Sequence, residues 1–159
     1  MKNIRGILLG ELLLIIGLFL LNVLGSFGAS AITWFIDLPS LLIIALVLIP
    51  GLLIMGEWKD FVKAFSVGIK QYSLLELKNI LGAVSAAQQL TIYGALFAIV
   101  ISAVLMMGRL DDLSTISPRL AVCLLAGFYA VIVEFFLLPL RLNAERKMNE
   151  EMDFGDDEN

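Results

Sequence analysis

Apolar positions along this chain gather into four long runs, not into the alternation of a strand or the single stripe of a soluble helix. Run one covers about Ile7 to Leu24 and is interrupted by Glu11 and Asn22. Run two covers about Leu41 to Met55, run three about Leu90 to Met107, and run four about Leu120 to Leu140. A membrane-spanning helix needs about 20 mostly apolar residues. Runs one, three and four reach that length, and run two does so once Pro39 and Gly56 are included. The pattern predicts an all-α, integral membrane four-helix protein with spans at about 7–24, 39–56, 88–108 and 118–140. Residues 1–147 form the membrane domain, with a cytoplasmic amphipathic loop over 57–87.

Helix punctuation refines these limits. Asp37-Leu38-Pro39-Ser40 opens run two with a capping residue and a proline near the first turn. Ser117-Pro118 opens run four in the same way. Ser73-Leu74-Leu75-Glu76 is a capping box. No breaker follows it before run three, so one long helix is expected from about Leu74 to Met107, its first half projecting into the cytoplasm. Pro50 inside run two removes a backbone donor and predicts a kink. Within the loop, Trp58, Phe61, Val62, Phe65 and Ile69 recur at helical spacing. That stretch reads either as an amphipathic helix on the inner membrane face or as a surface helix packed on its neighbours.

Lysine and arginine set the orientation. With the N-terminus inside, the cytoplasmic segments hold nine of the 11 basic residues, and the outer loops hold only Arg109 and Arg119. Both termini are then cytoplasmic (N-in/C-in). Trp34 and Phe35 fall at the outer interface and Trp58 at the inner one, where aromatic rings collect. A rival reading makes run one a cleaved signal, because Lys2 and Arg5 precede it and Ala29-Ser30-Ala31 has the shape of a signal-peptidase site.

Composition agrees with lipid as the solvent. Hydrophobic residues make up 60% of the 159 and charged residues 16%. A soluble domain has about 45–50% and about 25%. There is no His and one Cys, so an internal disulfide is excluded and imidazole or thiolate metal sites lack ligands. No metal, cofactor or nucleic-acid partner is expected, and no nucleophile–base pair or phosphate loop suggests an enzyme. Much of the net charge of −4 sits in the acidic tail at 148–159, which reads as disordered.

Glu11 and Glu134 lie inside apolar runs, where a carboxylate is expensive and so a candidate for function. Glu11 follows Arg5 by six residues and Glu134 precedes Arg141 by seven. Each is then roughly 10 Å inside the cytoplasmic boundary at 1.5 Å per residue. They could form a proton- or cation-attracting inner vestibule, or simply bond a neighbouring hydroxyl or arginine. Small residues mark two helix faces: Ala87, Thr91, Gly94, Ala98 and Ser102 in run three, and Cys123, Gly127 and Ala130 leading to Glu134 in run four. Such faces permit close helix packing. A narrow polar pore, with Thr91 and Ser102 on the ion path, is the sharper reading. Cys123 reads as a packing residue.

Two stretches carry a family resemblance. One is Phe35-Ile36-Asp37-Leu38-Pro39-Ser40-Leu41-Leu42-Ile43. The other runs from Val104 through Gly108-Arg109-Leu110-Asp111-Asp112 and Ser117-Pro118 to Tyr129 and Leu138-Pro139. With Trp58-Lys59-Asp60-Phe61-Val62-Lys63-Ala64-Phe65, they cover about half the chain. The sequence resembles the MotA branch of the MotA/TolQ/ExbB proton-channel family. Asp37, Pro39, Asp111, Asp112, Pro118, Tyr129 and Pro139 are the matching motif positions. The resemblance implies a homo-oligomer, a pentamer in the family, in the bacterial cytoplasmic membrane. It also implies a single-span partner bearing an intramembrane Asp, and spans three and four facing that partner. The chain departs from the family in its short inner loop, in Ile92 and Ile99 where a proline and a threonine are usual, and in Ala126 or Gly127 for a second threonine. Glu134 stands where such sequences carry an uncharged residue. Two readings follow: an ion-channel subunit, or a non-conducting oligomeric scaffold that kept the fold.

Overall fold

The computed structural model describes residues 4–27, 33, 35–108 and 113–156. Among them are five helices and no strand: α1 (Ile4–Phe27), α2 (Leu38–Ile54), α3 (Trp58–Ala64), α4 (Leu74–Met107) and α5 (Leu113–Asp156). Helices α1, α4 and α5 are each long and apolar enough to cross a membrane, and the bent pair of α2 and α3 adds a fourth if taken as one broken span. The chain is thus of the multi-pass membrane type.

Local chemistry sets the helix starts. Asp37 caps α2, its carboxylate accepting from the Ser40 amide at 3.1 Å. Ser73 and Glu76 form the reciprocal capping box of α4. The end of α2 is a Schellman closure. Gly56 takes φ +75°, its amide donates to Leu53 and the Glu57 amide donates to Leu52. Only glycine adopts that φ without strain, and the chain leaves at 110° into α3.

Helices α4 and α5 form an antiparallel pair with the most extensive contact between any two helices. Helix α2 lies on α4 at close range. A Cβ on Gly94 would sit 3.1 Å from the Ile44 Cα, and one on Gly51 would sit 2.8 Å from the Leu90 methyls. Leu52, Leu77, Ile80, Val84, Leu137 and Leu140 make the main core, with Ala64 and Val67 from the α3 region. A smaller cluster joins Ile44, Ala95 and Tyr129. From the Ile44–Gly94 contact, α4 continues to Met107 while α2 runs back only to Leu38. The α4–α5 hairpin therefore reaches about 10 Å beyond the start of α2.

Tyr129 ties that start into the bundle. Its hydroxyl donates to the Phe35 carbonyl and accepts from the Asp37 amide, both at 2.6 Å. Backbone outside a helix must find such partners where water is excluded. Phe35 is not a free interfacial ring: it packs edge-on to Phe19, with centroids 4.7 Å apart, and against Phe128 at 5.9 Å.

Three expectations differ from what is observed. Helix α5 begins at Leu113, not at Ser117-Pro118, and Pro118 lies inside it. The same helix continues to Asp156, through most of the expected disordered tail. Arg141–Glu145 and Lys147–Glu150 pairs at i, i+4 and i, i+3 support that extension. The amphipathic stretch is helical only to Ala64. Its Ala64 and Val67 pack inward while Trp58, Val62, Phe65 and Ile69 stay exposed. Pro50 lies within α2 as expected. Lys2, Ala29-Ser30-Ala31, Trp34, Arg109, Asp111, Asp112 and residues 157–159 fall outside the described residues.

Candidate functional site

Helix α5 brings Glu134 to face Gln88 of α4. The Gln88 amide nitrogen donates to one carboxylate oxygen, Oε2, at 2.8 Å. The other oxygen, Oε1, is buried and has no hydrogen-bond partner among the described residues. Glu134 also lines a cavity of about 300 Å³, with Gln88, Ile92, Ala130 and Phe135 among its other walls. Burying a carboxylate costs free energy unless bonds replace its water, and here only half of it is satisfied. Such an oxygen can still accept a hydrogen bond.

A polar ladder leads away from Glu134. The Gln88 carbonyl oxygen accepts from Arg141 at 3.4 Å, and Arg141 donates to Glu145 at 3.0 Å. Arg141 and Glu145 are half-exposed. Glutamine is the only member able to donate one way and accept the other, so it couples the buried acid to the polar end of α5.

Glu11 belongs to a second cavity, of about 220 Å³, between α1 and α5. Its neighbours there are Leu138, Pro139, Leu142, Asn143 and Arg146. The two acids are thus not level: Glu11 sits about two helical turns further towards the polar end of α5 than Glu134. Leu138 lines both cavities, so the sites adjoin without merging.

The small-residue stripe on α4 faces the inside of this chain. Thr91 is fully buried and its hydroxyl donates to the Ala87 carbonyl of its own helix at 2.9 Å. Gly94 and Ala98 are buried, and Ser102 nearly so. These residues let α2 and α5 approach α4. The α5 stripe differs. Cys123 points its thiol at the Ile99 carbonyl, 3.7 Å away. Ala130 borders the Glu134 cavity, and a Cβ on Gly127 would meet nothing within 4 Å. Of the motif positions, Asp37 and Tyr129 meet at the start of α2, where Pro39 stands in the first turn, and Pro139 is buried beside the Glu11 cavity.

No protein-family model, curated protein or solved structure matches this chain. The site therefore has to be read from its own residues. Sequence reasoning missed Gln88, Arg141 as its partner, and Asn143. The adjacent Gln88 and Gln89, two amides at the edge of an apolar run, were the available signal. No group of metal-ligating side chains is found among the described residues.

Proposed function

We propose that the chain is a MotA-like membrane subunit of an oligomeric, ion-driven complex in the bacterial cytoplasmic membrane. Glu134 is its proton or cation site. Four spans, with both termini cytoplasmic, fit the basic residues, nine inside against two outside of 11. The bent α2–α3 pair then supplies the second span, and α4 extends beyond the bilayer at its N-terminal end. The observation that carries the reading is Glu134 itself, which lines a cavity: one oxygen is held by Gln88, and the other is buried and unpartnered among the described residues. An acid inside an apolar span is a mark of an ion or proton path, and the Gln88–Arg141 contacts hold it in place at the side of the polar end of α5. In the family's manner the complex is a homo-oligomer, a pentamer, around a single-span partner carrying an intramembrane Asp.

Proton uptake into liposomes tests this directly, with the chain reconstituted alone and with a single-span partner. Glu134→Gln should abolish uptake that the native chain supports. Equal uptake by both would remove Glu134 from the path.

A second reading has its own support. The Thr91 hydroxyl is fully buried and spent on its own helix, and Ile92 and Ile99 stand where the family has other residues. The chain is then a non-conducting oligomeric scaffold. An assembled complex with no proton flux in either form would favour it.

A further inference from the structure

The α1–α5 cavity holds unlike polar groups that do not satisfy one another. Glu11 Oε2 needs a donor and Asn143 Nδ2 needs an acceptor. Both atoms are buried, and neither has a partner among the described residues. Arg146 lines the same space and forms no ion pair with Glu11. A single cation would serve Glu11 alone, and a single anion would serve only Asn143 and Arg146. A zwitterion carrying an ammonium and a phosphate serves all three. The cavity measures about 220 Å³, which is the liquid volume of roughly seven waters, so it admits a group of that size.

Its position fits a lipid headgroup. The apolar run of α5 ends at Leu140, and the cavity straddles that boundary, with Leu138 and Pro139 on one side and Asn143 and Arg146 on the other. About one helical turn away, an apolar groove of about 360 Å³ lies between the same two helices, with Leu14, Leu18, Val131 and Phe135 among its walls. Glu11, Leu14 and Leu18 share one side of α1 by helical spacing, as do Val131, Phe135, Leu138 and Leu142 on α5. Polar head space and apolar groove thus follow one flank of the cleft.

We propose that this cleft binds a glycerophospholipid with a primary-amine headgroup, of the phosphatidylethanolamine type. The ammonium donates to Glu11. The phosphate accepts from Asn143 and Arg146, and an acyl chain lies along the groove. A primary ammonium carries three donors, whereas a quaternary choline carries none, so Glu11 sets the headgroup preference. The proposal uses the membrane setting but not Glu134, and a failed proton-uptake assay leaves it standing.

Native mass spectrometry of the full chain in non-ionic detergent tests it, with phosphatidylethanolamine, phosphatidylcholine and phosphatidylglycerol as probes. The native chain should retain the ethanolamine lipid about tenfold over the choline lipid, the equivalent of one charge-assisted hydrogen bond. Glu11→Gln should erase most of that preference, and Arg146→Gln should weaken all three lipids. Should Glu11→Gln fail to fold, Asn143→Leu gives the second test by lowering retention of all three. Free phosphoethanolamine should not displace the lipid at equal concentration. An ethanolamine-to-choline ratio unchanged in Glu11→Gln, tighter retention of the glycerol lipid, or displacement by free phosphoethanolamine would each overturn the assignment.

Discussion

Gln88 of α4 and Glu134 of α5 share the hydrogen bond that fixes the buried carboxylate, 2.8 Å from amide nitrogen to oxygen. Without Gln88, neither oxygen would have a partner among the described residues. Gln88→Leu should destabilise the folded chain by about 1–3 kcal/mol, the cost of stranding a buried polar group. The double change Gln88→Leu with Glu134→Leu should recover much of that loss. Thermal unfolding of the four proteins in one detergent gives the coupling energy. Additive effects would mean that the pair does not act as a unit.

Tyr129→Phe keeps the ring and deletes one oxygen. That oxygen serves both the Phe35 carbonyl and the Asp37 amide. The expected cost is about 1–3 kcal/mol, and hydrogen exchange at Asp37 should speed up, because its amide loses its partner. Unchanged exchange there would show that the tyrosine does not hold the start of α2.

Gly94 and Gly127 should respond in opposite ways to a larger side chain. At Gly94 a new Cβ meets the backbone of Ile44 at 3.1 Å. Gly94→Val should then cost about 1–3 kcal/mol through overpacking. At Gly127 a Cβ meets nothing within 4 Å, so Gly127→Ala inside α5 should stabilise one chain by about 0.5–1 kcal/mol through helix propensity. If a second subunit packs against this face, Gly127→Leu should reduce the assembled fraction in light scattering while the helical content stays the same.

Ser73→Ala removes the side-chain acceptor for the Glu76 amide. The start of α4 should fray, at about 1 kcal/mol. Ser73→Asp should restore the cap, and proteolysis between Lys70 and Lys78 would report both effects.

Much of the fold was legible because its causes are local. Asp37 caps α2, Ser73 and Glu76 cap α4, and α4 ends at Met107, where run three stops. Pro118 misled because α5 begins five residues before it and carries it in its second turn, although a proline there lacks the backbone donor. The tail misled because composition alone said disorder, while Arg141–Glu145 and Lys147–Glu150 give the helix side-chain support. Glu134 and Glu11 stood out as acids in apolar runs. Gln88 did not, since a glutamine at the edge of such a run is ordinary until its partner is known.

By itself, the sequence determined that the chain is helical and apolar enough for a bilayer, and where two of its helices begin, since hydropathy and capping act within a few residues. The tertiary structure alone decided that Thr91 and Gly94 turn inward, that Glu11 and Glu134 occupy separate cavities, and that Gln88 is the partner of Glu134. Those outcomes depend on how far each helix is rotated and slid against its neighbours. That choice is made by side chains distant along the chain meeting at the packed faces.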